Sequence, residues 1–196
     1  MSNFISEDDI EKAILDKLRE KPFEYDIIEC NPSVEYKEDL NDGTYRTSKK
    51  QCVLPLVLEQ SLYMNNPDID ETHIQSILKE LSKDYTGTDI IQTNYRLYRD
   101  IRTGIKINIK KNGKKDFDFV KLVDFDNPKN NTFTAVSQMW IKGRTIYRRP
   151  DIIVFVNGLP MVFIELKNSI VKVQEAYNNN LKDYLRDIPN LFAFNQ

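Results

Sequence analysis

Three charged residues interrupt two apolar runs of the sequence. Asp151 precedes the first run, and Glu165 and Lys167 follow the second, in the segment ProAspIleIleValPheValAsnGlyLeuProMetValPheIleGluLeuLys. Charged side chains are rarely left in such runs unless they are paired or bind a metal ion. Two carboxylates, with water and substrate phosphate, form the oxygen shell that Mg²⁺ prefers. The spacing therefore predicts metal-assisted phosphodiester hydrolysis, with Lys167 holding the attacking water; the alternative is strand-end charges in water or a salt bridge.

The two strands that must carry these residues have to pair in one register. Side chains alternate along a strand, so Glu165 and Lys167 share a face. Asp151 lies on that face only if the numbers of paired residues add to an even value, such as 316. A three-residue loop, Asn157 to Leu159 with Gly158 left-handed, provides this register, whereas a two-residue AsnGly turn would turn Asp151 to the wrong face. We therefore expect the three-residue loop.

The composition excludes several other chemistries. The sequence has 196 residues with one His and two Cys, whereas a zinc site of His and Cys needs three or four such ligands. His73 lies in a helical pattern without a nucleophile signature nearby, so we expect an ordinary surface residue rather than a triad member. Without a signal peptide or a long apolar run, we expect a reduced, cytoplasmic protein with no membrane contact.

The apolar periodicity places these residues in an α/β domain. It predicts helices over about 6–20, 55–64, 71–84, 89–101 and 171–186, and strands over 25–28, 105–109, 117–125, 132–141, 152–156 and 161–167. Helices, then strands, then a helix indicate a mixed central sheet flanked by helices. A last strand is expected to begin at 191–194, which indicates the front piece of a longer polypeptide.

The motif residues resemble a known family. ProAsp at 150–151 and GluLeuLys at 165–167 resemble the PD-(D/E)xK nuclease motif, and the stretch 148–168 is similar to the N-terminal nuclease domain of the type I restriction enzyme R subunit. The segments 6–18 and 187–196 also resemble that domain. The resemblance implies a restriction-endonuclease-like fold, with residues 1–196 forming a single nuclease domain ahead of helicase-like domains.

The resemblance also implies further site residues. Glu11, on the first helix, matches a glutamate that completes the metal site in that family; its alternative is a solvent-facing helical glutamate. Asn180 and Tyr184 match a QxxxY motif on the helix after the lysine, with the Gln replaced by Asn, which is one methylene shorter. Tyr184 is equally compatible with a core aromatic residue.

The net charge of −2 conceals a lopsided distribution. Residues 1–42 carry 13 acidic against 5 basic residues, whereas residues 96–115 carry eight basic residues and one acidic residue. Two basic groups are candidates for sequence-independent contacts with the DNA backbone; a solvated or subunit-facing charge run is the alternative. They are Lys110, Lys111, Lys114 and Lys115, and Arg144, Arg148 and Arg149.

Taken with the resemblance, these features predict a Mg²⁺-dependent endonuclease domain that cleaves double-stranded DNA. The resemblance implies partners, namely the methylation and specificity subunits of a type I restriction-modification complex. ATP is expected only for the full-length subunit, because these residues contain no GxxxxGK[ST] loop. The alternative is a non-catalytic DNA-binding or subunit-docking module on a nuclease fold, in which Asn180 does not replace the usual Gln.

Overall fold

A four-stranded mixed sheet forms the centre of the protein, for which a computed structural model describes residues 6–111, 113–167 and 181–194. The helices are α1 (Glu7–Arg19), α2 (Pro55–Asn65), α3 (Glu71–Leu81), α4 (Ile90–Thr103) and α5 (Lys182–Asp187). The strands are β1 (Asp26–Glu29), β2 (Ile105–Lys111), β3 (Lys114–Val120), β4 (Phe133–Ser137), β5 (Ile141–Lys142), β6 (Tyr147–Arg148), β7 (Ile152–Val156) and β8 (Leu159–Ile164).

The central sheet has the strand order β1-β4-β7-β8. Strand β1 runs parallel to β4, and the β4–β7 and β7–β8 pairs are antiparallel. Side chains of β7 alternate between two apolar clusters: Ile152 and Val154 pack on the side of Leu15 in α1, and Ile153 and Phe155 pack on the opposite side. Because both faces are covered, the strands read as continuous apolar runs. The predicted mixed sheet flanked by helices is confirmed.

Helix α1 begins where the sequence predicts. Ser6 accepts a hydrogen bond from the backbone N–H of Asp9, and the Asp9 carboxylate accepts one from the backbone N–H of Ser6. This capping box satisfies donors that an open helix end would leave unpaired. The buried side chain of Leu15, with Ile14 and Leu18 beside it, packs on the sheet. The acidic first turn therefore lies at one end of a helix that is anchored across the strands.

A second layer contains α2, α3, α4 and a separate two-stranded ribbon, β2–β3. Its core includes Leu62, Ile77, Leu97, Ile107 and Val120. The predicted hairpin is confirmed, but its second strand covers 114–120 rather than 117–125. Strand pairing starts immediately after the turn at Gly113, whose φ is +74°, so the lysines belong to the ribbon itself.

Two further strand predictions were wrong. The segment 132–141 does not form one strand, because Gln138 has a left-handed φ of 55° and ends β4; Ile141 then begins a separate sheet with β6. Residues 191–194 form no strand either. Pro189–Ala193 is a 3-10 helix whose carbonyl groups at Phe192 and Ala193 accept from the Asn94 amide. Of the predicted helix 171–186, residues 168–180 lie outside the described residues.

A buried ion cluster fixes the long polar segment between β1 and α2. The Asp42 carboxylate accepts from Arg46 at 2.9 Å and from Lys49 at 2.7 Å, and these side chains are almost completely buried. Arg46 also donates to the carbonyl of Trp140 at 3.0 Å. Although burial alone would raise it, hydrogen bonds from Lys49 and Thr44 and the charge of Arg46 lower the pKa of Asp42 to about 2. The cluster thus ties a loop to the strand region after β4.

The two cysteines and the single histidine have structural roles. Cys30 and Cys52 are free and buried, and burial raises the pKa of each thiol to about 12, which disfavours the reactive thiolate. Half-buried His73 links α3 to β2, with Nδ1 2.6 Å from Asp70 and Nε2 3.1 Å from the Asn108 carbonyl. No helix in the described ranges is long and apolar enough to cross a membrane.

Candidate active site

The β7–β8 hairpin sets the register that the site requires. Ile152 pairs with Ile164 and Val154 with Val162, so the numbers of paired residues add to 316 at the open end. The expected three-residue loop was wrong: the turn is Asn157 and Gly158, with φ values of 51° and 77°. Near the turn the numbers of paired residues add to 315, and a bulge between Val154 and Phe155 shifts this sum to 316. Asp151 and Glu165 therefore extend from the strands at opposed positions.

The hairpin turn is held from both sides. The amide of buried Asn157 accepts from the Thr132 backbone N–H at 2.8 Å and donates to the Leu122 carbonyl at 2.9 Å. A Cβ on Gly158 would lie 2.6 Å from the carbonyl oxygen of Leu54 and 2.7 Å from the nitrogen of Leu58. Only glycine fits so close to the start of α2 with a positive φ. The short turn is therefore required by packing, and the bulge restores the register.

Asp151, Glu165 and Lys167 are brought together at the end of this hairpin. Asp151 Oδ2 accepts from the backbone N–H of Leu166 at 2.6 Å, which links the two chain segments just beyond the strands. Lys167 Nζ lies 3.2 Å from Glu165 Oε1 and donates to the Leu166 carbonyl at 2.7 Å. It is also 3.8 Å from Glu7 Oε2 in α1. Two carboxylates and one ammonium group thus lie around the backbone of one residue, Leu166.

Tyr184 of α5 packs beneath this group. Its hydroxyl donates to the Arg149 carbonyl at 3.2 Å, and its ring meets Phe163 edge to face with centroids 5.1 Å apart. The pKa of Tyr184 is raised, first by burial and then by the negative charges of Glu165 and Asp151. Tyr184 is therefore both a core aromatic residue and a neighbour of the carboxylates. Asn180, its predicted companion, lies outside the described residues.

A cleft of about 400 Å³ opens beside Asp151 and receives the acidic side of α1. Glu11 lies in it and accepts a hydrogen bond from the side-chain amide of Gln138, whose Nε2 is also 3.5 Å from Asp151 Oδ1. Burial raises the pKa of Glu11; the Gln138 hydrogen bond opposes this shift, and the charge of Asp151 adds to it. Glu11 thus faces the sheet rather than solvent, as its predicted role requires.

Gln138 is a site residue that the sequence analysis missed. Its left-handed φ of 55° is uncommon for a non-glycine residue and costs backbone free energy. The conformation ends β4 and directs the amide between Glu11 and Asp151. Nothing in hydrophobic periodicity reports such a turn, so the sequence offered no signal for it.

The predicted basic residues divide into four locations. Arg149 lines the cleft, where it donates to the Pro32 carbonyl and stacks over Trp140 at 5.3 Å from the ring centroid. Arg148 instead binds Asp183 and Asp187 of α5, at 3.2 and 2.8 Å, and these ion pairs compete with its predicted contact with the DNA backbone. Arg144 lies in a different depression. Lys110, Lys111, Lys114 and Lys115 lie at the tip of the β2–β3 ribbon.

The donor set has the chemistry of a magnesium site. Asp151 and Glu165 offer two carboxylates, and Mg²⁺ is commonly bound by one or two carboxylates with water and substrate phosphate. Within residues 6–111, 113–167 and 181–194, no group of three or more His, Cys, Asp and Glu side chains could hold a metal ion. The arrangement therefore fits an ion that takes few protein ligands, with Glu11 on the opposite side of Gln138.

Comparison with known proteins gives a consistent picture. Residues 4–196 match the family model described as the type I restriction enzyme R protein N terminus. The chain is 33% identical to the type I restriction enzyme HindI endonuclease subunit of Haemophilus influenzae, over 98% of this chain and 18% of that protein. It is 30% identical to the putative MjaIXP endonuclease subunit of Methanocaldococcus jannaschii, over 95% of this chain and 18% of that protein. The chain thus spans about a fifth of each relative.

Proposed function

The chain belongs to the family of type I restriction enzyme R protein N-terminal domains, and from this membership and the geometry of the cleft we propose that it is a Mg²⁺-dependent DNA endonuclease domain. The observation that best supports this proposal is that Asp151, Glu165 and Lys167 lie close together at the end of the β7–β8 hairpin. The proposed fold is the restriction-endonuclease-like core, and residues 1–196 are its nuclease domain.

Contacts with the rest of the fold hold both carboxylates in place. The Leu166 N–H fixes one oxygen of Asp151, which leaves Oδ1 directed toward the cleft and Gln138. Glu165 is 13% exposed and rests above Tyr184, which lies beneath it in the core. Such supported side chains need little reorganisation when a phosphodiester binds. Magnesium bound by them would lower the pKa of the attacking water and neutralise charge on the phosphate.

Lys167 has the charge and the position to assist the attack. Its ammonium group is shared between Glu165, Glu7 and the Leu166 carbonyl, all within 3.8 Å. It can hold a water molecule beside the phosphate and offset phosphate charge, and Arg149 in the cleft beside Asp151 adds a second positive charge. Histidine is not needed for either step, which agrees with the position of the single His73 between α3 and β2.

Glu11 and Gln138 are assigned supporting roles. The Gln138 amide holds Glu11 near Asp151, and the raised pKa of Glu11 reflects burial next to another acid. A cation in the cleft would relieve that repulsion. As the described residues stand, Glu11 does not form a metal site with the two hairpin acids. We therefore propose that Glu11 becomes a further ligand, contributed by the helix, when a bound cation replaces the Gln138 amide as its partner. Asn180 is proposed as a supporting residue from its match to the family motif alone.

The rest of the enzyme is proposed from the relatives. They are endonuclease subunits about five times as long as this chain, which accounts for 18% of their length. We propose that ATP-driven translocation belongs to the remaining domains, and that methylation and specificity subunits complete the complex on double-stranded DNA. A non-catalytic docking module is the second candidate, favoured by the fact that no three acidic, His or Cys side chains in the described part of the chain form a metal cluster.

Plasmid cleavage by the complete enzyme distinguishes the two candidates. With Mg²⁺ and ATP, Asp151→Ala is expected to lower the cleavage rate at least about 100-fold, because one metal ligand and its transition-state stabilisation are lost. Glu38→Ala, an exposed acid outside the cleft, is the matched control and should cut normally. ATP hydrolysis should persist in both variants, which shows that each complex is assembled. Undiminished cleavage by Asp151→Ala would overturn the nuclease assignment and favour the docking module.

A further inference from the structure

The outward face of the β2–β3 ribbon combines lysines with exposed aromatic rings. Pairing sets Lys106 opposite Phe119, Asn108 opposite Phe117 and Lys110 opposite Lys115. Because side chains alternate along both strands, these six side chains project from one face of the ribbon. We call it the lysine–phenylalanine face: Lys106, Asn108, Lys110, Lys115, Phe117 and Phe119.

The acidic residues of the ribbon lie on its other face. Asp116 and Asp118 pair with Ile109 and Ile107, which pack against the core beneath the ribbon. Both acids line a depression with Asp70 and His73 at the α3 start, and Asn108, Lys110 and Lys115 of the lysine–phenylalanine face lie at its edge. Lys111 and Lys114 also lie on the side of the acids, so the two faces differ in their acids: both ribbon acids are on the other face, and the lysine–phenylalanine face contains none.

Exposure of the lysine–phenylalanine face to water lowers the stability of the isolated chain. Phe117 and Phe119 are 52% and 46% exposed, with their ring centroids 5.9 Å apart. Lys110 and Lys115 face each other directly, which is destabilising for like charges. No ion pair to a lysine of this face is present among the residues the structure describes. Lys106 lies over the Phe117 ring, 4.0 Å from its centroid.

These properties match a ligand that carries both negative charge and flat apolar surfaces. Single-stranded nucleic acid has both, because its phosphates attract lysines and its unpaired bases stack on aromatic rings. A duplex presents phosphates but keeps its base faces stacked internally. It would therefore contact the lysines, but its bases would not stack on the phenylalanine rings. The pattern also continues past the ribbon, where half-exposed Phe125 lies under Arg102 at 5.7 Å and shares a depression with Phe119.

We propose that the lysine–phenylalanine face binds single-stranded DNA. Bases stack on Phe117 and Phe119, and Lys106, Lys110 and Lys115 contact the phosphates. An exposed lysine changes rotamer in picoseconds to nanoseconds, so Lys106 can exchange the Phe117 ring for a phosphate. The face shares no lining residue with the cleft at Asp151. The choice of DNA over RNA rests on the proposed function; binding itself does not depend on cleavage.

Fluorescence anisotropy with the chain in EDTA tests this proposal independently of the nuclease. The ligands are a labelled oligo-dT of about twelve nucleotides, an abasic strand of equal length and a duplex of equal length. Phe117→Ala is expected to weaken oligo-dT binding roughly tenfold and to leave abasic binding unchanged. Lys110→Ala should lower the affinity for all three ligands. Phe119→Trp should retain oligo-dT binding because it keeps a ring on which a base can stack.

Matched controls lie elsewhere on the surface. Phe23 is 46% exposed and also meets a neighbouring ring, that of Tyr25, edge to face; Phe23→Ala should bind like the unaltered chain. Lys129→Ala is the corresponding control for charge. Equal affinities for oligo-dT, abasic strand and duplex, unaffected by Phe117→Ala, would overturn the proposal. Tighter binding of oligo-U than of oligo-dT would overturn the assignment to DNA. Loss of cleavage with Asp151→Ala would leave each of these readouts unchanged.

Discussion

Glu11 is an acid whose charged form the fold disfavours. Its pKa is raised by burial and by the nearby charge of Asp151, despite the hydrogen bond from Gln138. The folded chain therefore binds this proton more tightly than the unfolded chain does. Stability from Glu11 is present below the unfolded pKa of about 4.3 and is lost as pH rises through the raised folded value. At neutral pH the ionised side chain destabilises the fold.

Glu11→Gln is accordingly expected to raise the melting temperature at pH 7 and to lower DNA cleavage. The amide keeps an acceptor for Gln138 but removes the unfavourable charge and the proposed ligand. Thermal melts between pH 3 and pH 8 should show a gain that disappears at the acid end, where Glu11 is protonated. Glu38→Gln, on an exposed acid, should change neither measurement. A lower melting temperature at pH 7 would contradict the assigned cause of the pKa shift.

Lys167 supplies the second residue-scale test. Lys167→Met keeps most of the apolar stem and removes the ammonium group that Glu165 and Glu7 share. We expect the cleavage rate to fall about 10²- to 10⁴-fold, the range typical of a group that assists proton transfer. The measurement is single-turnover cleavage, with Lys129→Met as the control. A normal rate in Lys167→Met would remove Lys167 from the mechanism.

The meeting of site residues was predictable where the sequence pattern itself was unusual. Asp151, Glu165 and Lys167 stood out because they are charges at the ends of apolar runs. Gln138 did not, because its role depends on a left-handed backbone that ends β4. Arg148 was assigned to DNA from local charge, but its partners Asp183 and Asp187 come from a helix more than thirty residues later. Distant ion pairs leave no trace in local sequence.

At the scale of elements, two irregularities in the β7–β8 hairpin compensate for each other. The short turn at Asn157 and Gly158 alone would give the wrong register, and the bulge beside Val154 corrects it before Asp151 is reached. The site proposed at the open end needs a register whose paired residue numbers add to an even value, and this parity was predicted from the sequence. The position of the bulge was not, because it depends on how closely Gly158 approaches α2. Packing between elements thus decided the local geometry.

Gly158→Ala tests this account of the turn. A Cβ there would meet backbone atoms of Leu54 and Leu58 at 2.6 and 2.7 Å, in addition to the cost of a positive φ. Gly113 has a similar φ of +74° but open space around it. We expect Gly113→Ala to lower the free energy of unfolding, measured by urea denaturation, by about 1–2 kcal/mol. Gly158→Ala should lower it clearly more. Equal losses would mean that backbone conformation alone demands glycine at 158.

The buried cluster at Asp42 makes a second prediction for an element. Asp42→Asn leaves Arg46 and Lys49 buried without their anion, which is expected to cost about 3–5 kcal/mol in urea denaturation. Asp39→Asn, on an exposed acid in the same loop, is the control. Because the folded pKa of Asp42 is about 2, its contribution is present above the unfolded value of about 3.9 and is lost as pH falls toward 2. Indistinguishable stabilities of the two variants would contradict the cluster's structural role.

At the scale of the whole molecule, opposite charges serve separate surfaces. The acidic front of the sequence supplies Glu7 and Glu11 to the cleft, where a cation is proposed. The basic middle segment forms the lysine–phenylalanine face. The charge of each segment and the mixed sheet could be predicted from the sequence. The position of each charged segment relative to the cleft could not be predicted, because it depends on contacts between residues far apart in the chain.

The central claim is that Asp151 and Glu165 together hold a divalent cation. Isothermal titration calorimetry of the chain with Mn²⁺ tests it without DNA, ATP or other subunits. The unaltered chain and the Glu38→Gln control should bind Mn²⁺ with equal affinity. Asp151→Asn and Glu165→Gln should each bind at least about tenfold more weakly, since each loses a charged oxygen ligand. Mn²⁺ binding that is unchanged in both variants would contradict the account.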